Sequence, residues 1–394
     1  MPTVDDNALA SLAEAARDAT RVRGLTHTFY RYPARFSPQF ASTAIELFSK
    51  PGEMVLDPFM GGGTTIVEAL VRGRAAVGVD LNELAVFVCR VKTTQLTEMQ
   101  VADVIDWIGT TVPNMRFNAP SFSLDDSASD KRTRNLSIPA ARPIKKAIAI
   151  ALEALPRLRL KKQQEFAKCI LLRAAQWALN GRKAAPVLSE FRSKVLNIAE
   201  EMATGQKELT TQLEGCTASP KAPVLVNASA STLPSQRPFL SGGKADLVVT
   251  SPPYPGIHVL YHRWQVDGRK ETPAPYWIAD CNDGMGSSYY NFADRKGTGL
   301  DRYYAEALVN FTAVREVMRD GALLVQMVAF SDPSSMLPRY LDMMANAKFA
   351  EVQCGGGFGS GRIWRPVPSR QWHANTKGNT SSSNEVVLLH RASN

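Results

Sequence analysis

A glycine-rich turn after a short apolar strand constrains the fold of this chain more than any other feature. Residues 55–65 read Val-Leu-Asp-Pro-Phe-Met-Gly-Gly-Gly-Thr-Thr, and an apolar segment with helical character follows at 66–70. Glycines permit unusual φ values and let the backbone approach a ligand closely. The first N–H groups of the next helix are then available to an anionic group. The pattern predicts a strand–turn–helix unit that binds a ligand, and an ordinary turn is the alternative.

A second short apolar strand, at 75–80, ends in the carboxylate of Asp80. Asp80 lies 23 residues after Asp57 in the first strand. An acid at a strand end, about 20 residues past a glycine turn, accepts the ribose hydroxyls in nucleoside-binding α/β folds. The spacing therefore predicts a nucleoside site, and the alternative is that Asp80 caps the helix that follows.

A third feature is the sequence Thr-Ser-Pro-Pro-Tyr at 250–254, which ends the apolar run 247–249. The two prolines have fixed φ and no N–H donor, so they form a stiff turn with outward carbonyls. Such a turn suits a flat ring that carries an exocyclic amino group. Ser251 and a proline carbonyl can accept the two amino hydrogens, and Tyr254 can stack on the ring. A plain Pro-Pro turn after a strand is the alternative.

Taken together, Asp-Pro-Phe-x-Gly-x-Gly-Thr at 57–64 and Ser-Pro-Pro-Tyr at 251–254 resemble the DNA amino-methyltransferases. A Tyr-Pro-Ala-Arg-Phe segment at 32–36 is similar to a stretch that helps this family hold the methionine end of its cofactor. The resemblance covers roughly 27–95 and 222–390. It implies an α/β fold, a seven-stranded Rossmann-like methyltransferase sheet with a helical insertion, and S-adenosylmethionine as cofactor.

The same resemblance implies the roles of individual residues. The catalytic candidates are Ser251, Pro252, Pro253 and Tyr254. The cofactor-binding candidates are Tyr32, Pro33, Ala34, Asp57, Pro58, Phe59, Gly61, Gly63, Thr64, Asp80 and Asn227. Asn227 stands where the family commonly has an aspartate in the adenine pocket.

The identity of the target base is left open between cytosine N4 and adenine N6. Serine at position 251, where aspartate is the other choice of the family, favours cytosine N4. The amino group needs no covalent intermediate, and none of the five cysteines follows a proline, as the nucleophile of cytosine-C5 enzymes does. A base in duplex DNA must leave the stack to reach such a pocket.

Positive charge is concentrated in one segment of the chain. Residues 131–194 contain 16 Lys and Arg but three acids, a net +13 in a chain of net charge +9. A block this basic predicts contact with a polyanion such as double-stranded DNA, and a solvated helical face is the alternative. Basic and aromatic residues also alternate after residue 255, a pattern that suits phosphate and base contacts. The DNA-binding candidates are Arg157, Arg159, Lys161, Lys162, His262, Arg263 and Trp264.

The order of these features divides the chain into three parts. Residues 1–95 are predicted to hold the cofactor half of the core, 96–222 a basic helical insertion that is the candidate region for DNA recognition, and 223–394 the catalytic half. Two loops, 255–300 and 355–384, interrupt the last part. Strands are predicted at 54–57, 75–80, 223–227, 246–250, 321–330, 349–354 and 385–390. Helices are predicted at 40–50, 64–73, 83–93, within 141–213, at 302–318 and at 335–347.

Other classes of function find no support in the sequence. No apolar run reaches the ~18 residues of a membrane span, and the first 20 residues lack the apolar core of a signal peptide. The cysteines at 89, 169, 216, 281 and 354 form no C-x-x-C pair, and His258 and His262 have no third ligand. We expect a cytoplasmic, nucleoid-associated protein with no metal and no membrane contact, and a cognate restriction endonuclease is a candidate partner. A catalytically inactive nucleic-acid-binding protein and an RNA amino-methyltransferase are the alternatives.

Overall fold

The structure of the protein is a computed structural model. It describes residues 4–32, 36–118, 131–216, 221–255, 263–268, 270–284, 290, 292, 298–353, 361–366 and 384–393.

Helices and strands alternate from α2 to α4, a run of helices from α4 to α8 follows, and strands predominate after residue 223. The helices are α1 (Asp6–Arg17), α2 (Pro38–Phe48), α3 (Thr64–Val71), α4 (Glu83–Thr93), α5 (Glu98–Thr111), α6 (Arg142–Ala154), α7 (Lys161–Leu179), α8 (Leu188–Glu214), α9 (Ala274–Ala279), α10 (Gly299–Glu316) and α11 (Pro333–Asn346). The strands are β1 (Met54–Asp57), β2 (Ala75–Asp80), β3 (Val224–Asn227), β4 (Ala245–Thr250), β5 (Trp264–Val266), β6 (Lys270–Thr272), β7 (Met318–Ala329), β8 (Phe349–Val352), β9 (Ile363–Pro366) and β10 (Asn384–Ala392).

One large sheet has the strand order β3-β2-β1-β4-β7-β10-β8, and β9 pairs with the start of β10. The neighbours from β3 to β7 are parallel, whereas β10 is antiparallel to β7, β8 and β9. The predicted α/β, Rossmann-like fold is confirmed, with β9 as an eighth strand beyond the seven expected. From β1 the sheet continues through β2 to β3 on one side, and from β4 it continues through β7, β10 and β8 on the other. In such sheets the crevice for a ligand lies at the carboxyl ends of the strands where the order reverses.

Local sequence explains the elements next to this reversal point. Strand β2 and helix α4 occupy the predicted residues 75–80 and 83–93. The Asn82 side chain caps α4 by accepting the backbone N–H of Leu84, which is the usual role of Asn at a helix N-cap. The helical region predicted at 141–213 consists of α6, α7 and α8, with breaks before Lys161 and after Leu179.

Three apolar cores hold the fold together. Helices α10 and α11 pack on one face of the sheet, and α1, α2 and α3 pack on the other. The third core lies within the helical insertion predicted at 96–222, where the described helices α5 to α8 pack together and against α4. Residues 264–281, predicted to be part of a loop, form the β5–β6 hairpin and α9 and bury their apolar side chains in this third core.

Among the described helices, none has the length and apolar content that a membrane crossing requires. Within the described ranges, no group of three His, Cys, Asp or Glu side chains is arranged to hold a metal ion. The residues His258 and His262 lie outside the described part of the chain.

Candidate active site

The two motif-bearing halves of the chain meet at the reversal point of the sheet. Asp57 ends β1 and Thr250 ends the neighbouring strand β4. The Thr250 hydroxyl donates to Asp57 Oδ1 at 2.6 Å, across 193 residues of sequence. A second bond joins the same halves, from the Thr65 hydroxyl to the Val249 carbonyl at 3.1 Å. The glycine turn and the Ser-Pro-Pro-Tyr turn therefore lie side by side at the carboxyl edge.

The glycine turn has the geometry that its sequence predicts. Gly63 is the N-cap of α3 and has φ of 75°, a left-handed conformation that favours glycine. The Gly61 N–H donates to Asp80 Oδ2 at 2.9 Å, so the turn is tied to the end of β2. The Gly62 carbonyl accepts from the buried ammonium of Lys92 at 2.7 Å. Lys92 was not among the residues predicted from the sequence, because no local pattern distinguishes it from Arg90 on the same helix α4.

An aromatic residue covers the turn. The Tyr32 side chain lies so close to Gly62 that a Cβ there would be 2.7 Å from Tyr32 Cβ. The Tyr32 hydroxyl accepts from Asn82 Nδ2 at 3.1 Å, and burial raises its pKa well above the usual value. The buried Tyr276 hydroxyl donates to Asn82 Oδ1 at 3.2 Å. Tyr32 is thus next to the predicted cofactor site, whereas Pro33 and Ala34 lie outside the described residues.

Asp80 has the hydrogen-bond acceptors that the hydroxyls of a nucleoside require. Its Oδ1 accepts the Asn82 N–H at 2.8 Å and its Oδ2 accepts the Gly61 N–H. A carboxylate has about four lone-pair positions, so these two bonds leave acceptor capacity for a pair of ribose hydroxyls. Burial raises the pKa of Asp80 from 3.8 to about 6. The residues at the end of β2 therefore fit a nucleoside-containing cofactor.

Asp57 has a different environment from Asp80. Its side chain is buried and accepts from the Thr250 hydroxyl and from the Phe59 N–H. Burial raises its pKa from 3.8 to about 6. Through these hydrogen bonds, the Asp57 carboxylate links the ends of β1 and β4 and fixes the start of the glycine turn. Pro58 and Thr64 are buried beside it at the two ends of the turn.

Two further cofactor candidates are engaged with protein atoms. Asn227, at the end of β3, donates through Nδ2 to the carbonyls of Asp80 and Leu81, both at 3.0 Å. The Phe59 ring packs edge-on against Phe292 and Phe311, with ring centroids 5.6 and 5.9 Å apart. Asn227 thereby fixes the backbone next to Asp80, and Phe59 lies at the boundary between the turn and the core under α10.

The Ser-Pro-Pro-Tyr turn is held from both sides. The Ser251 hydroxyl lies 2.9 Å from Tyr254 Oη and 3.1 Å from the Met327 carbonyl. The Pro253 carbonyl accepts from the Tyr303 hydroxyl at 2.6 Å, so it is already used. Among the described residues, no hydrogen bond is made to the Pro252 carbonyl. Of the two proline carbonyls in the turn, the carbonyl of Pro252 is therefore the one that can accept an amino hydrogen.

Tyr254 is more enclosed than the sequence alone indicated. Its side chain is 7% exposed and packs in the core beneath α10 and α11. Its hydroxyl donates to Glu385 Oε1 on β10 at 3.0 Å. The sequence analysis missed Glu385, because no local pattern connects the last strand of the chain to residue 254.

The basic candidates on the helical insertion lie mostly at its surface. Arg157, Arg159 and Lys161 are exposed, between α6 and the start of α7, and the described residues form no ion pair with them. The Lys162 ammonium donates to the Gln95 carbonyl at 3.3 Å. Other positive charges of 131–194 are used within the protein, since Arg132 and Lys168 lie close to Asp280, Arg173 pairs with Glu201 and Arg182 lies over the Trp177 ring.

The candidates after the catalytic turn occupy other positions. The Trp264 side chain is 1% exposed, and its indole donates to the Tyr30 hydroxyl at 3.0 Å. A ring buried in this way presents no face to a base, so Trp264 is corrected from a DNA contact to a core residue. Arg263 forms an ion pair with Asp283, with Arg263 Nη2 2.8 Å from Asp283 Oδ2. His262 lies outside the described residues.

Comparison with known proteins identifies the amino-terminal half of this site. A family model described as "DNA methylase" matches residues 13–87, which contain the glycine turn and Asp80. The chain is 38% identical over 89 residues to the type II methyltransferase M.MvaI of Kocuria varians, covering 22% of this chain and 20% of that protein. It is 30% identical over 66 residues to the type II methyltransferase M.MjaII of Methanocaldococcus jannaschii, covering 17% and 12%. The chain thus spans about a fifth or less of the length of these relatives.

Solved structures give only weak likenesses. TrmN from Thermus thermophilus has a TM-score of 0.33 at 11% identity, over 93% of this chain and 52% of that one. The rRNA methyltransferase aviRa from Streptomyces viridochromogenes has a TM-score of 0.34 at 10% identity, over 97% and 92%. Scores this low carry no argument about the activity of the chain.

The matched segment contains the residues from which the sequence analysis inferred a cofactor site. Asp57, the glycine turn and Asp80 all lie within 13–87. This match confirms the predicted resemblance to the DNA amino-methyltransferases over residues 13–87, and with it S-adenosylmethionine as the methyl donor of that family.

Proposed function

We propose that this protein is a site-specific DNA methyltransferase that methylates the exocyclic amino group of a flipped-out base, most favourably cytosine N4. The observation that carries the proposal is the contact between its two motifs, where Thr250 at one motif bonds to Asp57 at the other. Methyl transfer requires the methyl donor and the amino group to lie next to each other, and a bond that joins the two motifs supports this arrangement.

The cofactor side of the site is formed by the glycine turn and the end of β2. S-adenosylmethionine, when bound, supplies a methyl group on a positively charged sulfur. Asp80 would accept the ribose hydroxyls, and the turn at Gly61 and Gly63 gives the backbone room to approach the ligand. The N-terminus of α3, which begins at Thr64, offers N–H groups to the carboxylate of the methionine part.

The base side of the site depends on two acceptors. The lone pair of a base amino nitrogen is delocalised into the ring, which makes the nitrogen a weak nucleophile. Hydrogen bonds from its two hydrogens to Ser251 Oγ and the Pro252 carbonyl favour a pyramidal nitrogen with its lone pair directed out of the ring plane. Positioning and preorganised hydrogen bonds then lower the barrier.

Cytosine N4 is the preferred target because residue 251 is serine, and adenine N6 is the second candidate. The base reaches this pocket by leaving the duplex, with Tyr254 as the proposed ring contact. Because Tyr254 is buried, the base has to contact the edge of its ring, or the turn has to move slightly to expose the ring. Methylation of a recognition sequence protects it from a restriction endonuclease that cleaves the same sequence. A cognate restriction endonuclease is therefore part of the proposal.

DNA contact is assigned to the exposed basic residues of the helical insertion. Arg157, Arg159 and Lys161 form the proposed phosphate contact, and Lys162 adds charge beside them. Phosphate contacts supply much of the affinity of DNA-binding proteins and make it salt-dependent. A protein with this substrate would be associated with the nucleoid. Arg263 and His262 stay secondary candidates for the same surface.

The proposed function is tested by digesting DNA after reaction. The purified protein is incubated with isotopically labelled S-adenosylmethionine and unmethylated duplex DNA, and the nucleosides are analysed by mass spectrometry. We expect labelled N4-methylcytosine. Labelled N6-methyladenine would support the second candidate, and label found only in an RNA substrate would replace DNA with RNA. Absence of label from both polymers, with DNA binding retained, would favour the inactive binding protein.

Cofactor affinity is expected to fall below about pH 6. Burial raises the pKa of Asp80 to about 6, so the carboxyl is protonated in the free protein at lower pH and loses part of its acceptor capacity. Binding favours the ionised form, and the dissociation constant for S-adenosylmethionine should rise up to about tenfold per pH unit below pH 6. Calorimetry between pH 5 and 8 measures this.

The variant Asp80→Asn separates this effect from the titration of Asp57, whose pKa is also about 6. The variant should bind more weakly at pH 8, with little change in affinity between pH 5 and 8. An unchanged pH slope in Asp80→Asn would assign the titration to Asp57 instead.

A further inference from the structure

A chain of polar contacts runs from the catalytic turn to the far side of the sheet. Ser251 Oγ lies 2.9 Å from Tyr254 Oη, and Tyr254 Oη lies 3.0 Å from Glu385 Oε1. The other oxygen of Glu385 accepts two hydrogen bonds from Arg365, one from Nε at 2.8 Å and one from Nη2 at 2.5 Å. Arg365 also donates to the Ala16 carbonyl at the end of α1. Strand β10 and strand β9 thus anchor a residue of the Ser-Pro-Pro-Tyr turn.

The chemistry of these groups determines the direction of each hydrogen bond. The Glu385 carboxylate, paired with a guanidinium, is ionised and has only acceptor atoms. Its bond to Tyr254 therefore uses the single hydroxyl hydrogen of the tyrosine. The Tyr254 oxygen is then an acceptor toward Ser251, and the Met327 carbonyl on the other side of Ser251 is an acceptor as well.

This direction matters for the proposed role of Ser251. A serine hydroxyl has one hydrogen and two lone pairs. Because both protein neighbours of Ser251 accept, its hydrogen points toward the protein, and its lone pairs are left for hydrogens that come from elsewhere. An amino group can only donate hydrogens in this geometry, so the hydroxyl is oriented for an amino substrate before that substrate arrives.

We propose that Glu385 is a positioning residue that makes Ser251 a hydrogen-bond acceptor, by taking the hydroxyl hydrogen of Tyr254. The inference rests on the proposed function, because it explains how Ser251 serves an amino group. It assigns to Tyr254 a second task besides contact with the ring, namely the transmission of hydrogen-bond direction. Glu385 itself, 2% exposed, touches neither cofactor nor base in this proposal.

The variant Glu385→Gln inverts the direction with almost no change of shape. Arg365 has only donors, so it holds the amide oxygen of the glutamine, and the amide NH2 faces Tyr254. Tyr254 must then accept from the glutamine, and its own hydrogen turns toward Ser251 Oγ. One lone pair of Ser251 is occupied, and a donor competes with the amino group of the base.

The test measures methyl transfer by Glu385→Gln in two backgrounds. In the otherwise unchanged protein we expect kcat to fall at least about tenfold, part of the 10²–10³-fold typical for one transition-state hydrogen bond, with KM for S-adenosylmethionine and DNA within about threefold. In the Tyr254→Phe background there is no hydroxyl to invert. In that background, adding Glu385→Gln should lower kcat by less than about threefold relative to Tyr254→Phe alone.

A merely structural role of Glu385 gives a different result. If the residue only tied β10 to β9 and α1, the same loss would occur in both backgrounds, and the inference would be overturned. An equal rate for wild type and Glu385→Gln would overturn it as well. If the wild-type protein transferred no methyl group to any nucleic acid, the proposed function would fail instead, so the two failures are distinguishable.

A second measurement does not depend on the folding of Glu385→Gln. Wild-type protein labelled with ¹³C at tyrosine Cζ gives one resonance for Tyr254, assigned by its disappearance in Tyr254→Phe. A phenol that donates to a carboxylate resonates downfield of one that donates to a neutral hydroxyl. We expect the downfield position, and an upfield position would contradict the proposed direction at Ser251.

Discussion

Replacement of Ser251 by alanine is expected to lower kcat for methyl transfer by about 10²–10³-fold, the cost of one preorganised hydrogen bond in a transition state. The change removes the oxygen that accepts an amino hydrogen, while the Met327 carbonyl and Tyr254 remain in place. The cofactor residues lie on other strands, so the dissociation constant for S-adenosylmethionine should stay within about twofold. Single-turnover transfer to duplex DNA and calorimetry measure the two quantities.

Ser241→Ala is the matched control for this substitution. Ser241 is exposed, and its hydroxyl donates to the Pro238 carbonyl in a short helical turn outside the site. We expect wild-type kcat for this variant. A wild-type rate for Ser251→Ala would remove Ser251 from the mechanism and would leave the Pro252 carbonyl as the acceptor to examine next.

Replacement of Gly63 by alanine is expected to destabilise the protein by about 2–6 kcal/mol and to abolish cofactor binding. Gly63 has φ of 75°, a conformation that costs a residue with a Cβ about 1–3 kcal/mol. A Cβ here would also lie 2.5 Å from Cys89 Sγ and 3.3 Å from Cys89 Cα, and overpacking of a core typically adds about 1–3 kcal/mol. Denaturant unfolding and calorimetry with S-adenosylmethionine test the prediction.

Gly109→Ala provides the contrasting control for this glycine. Gly109 lies inside α5, and a Cβ there would meet no atom within 4 Å. Alanine in a helix interior is more stable than glycine by about 0.5–1 kcal/mol, so this variant should be slightly stabilised and bind cofactor normally. Equal stability of Gly63→Ala and wild type would show that the turn adapts without its left-handed residue.

Much of the fold was predictable because it depends on short-range patterns. Strand β2 and helix α4 have the predicted bounds, since an apolar run, a strand-end acid and an Asn cap lie within a few residues of one another. The glycine turn and Asp80 were predictable for the same reason. The two motifs also indicated the family before any contact between them was known.

The less predictable parts of the site depend on contacts between distant residues. The sequence around Trp264 does not distinguish an aromatic ring that contacts DNA from one that packs in the core under α7. The basic residues next to it favoured DNA contact, which was wrong. Lys92 and Glu385 have no motif, because their partners come from other elements. The exposed and the internally paired residues of the basic segment 131–194 likewise differ only in what packs beside them.

By itself, the amino-acid sequence determined the class of sheet, the glycine turn and the two motifs of the proposed methyl-transfer site, because strand ends, glycines and prolines act through local backbone geometry. Only the tertiary structure decided that Thr250 bonds to Asp57 and that Tyr254 bonds to Glu385. A hydrogen bond depends on the positions of both atoms within a few tenths of an ångström. For residues more than a hundred positions apart, packing of the whole sheet sets those positions.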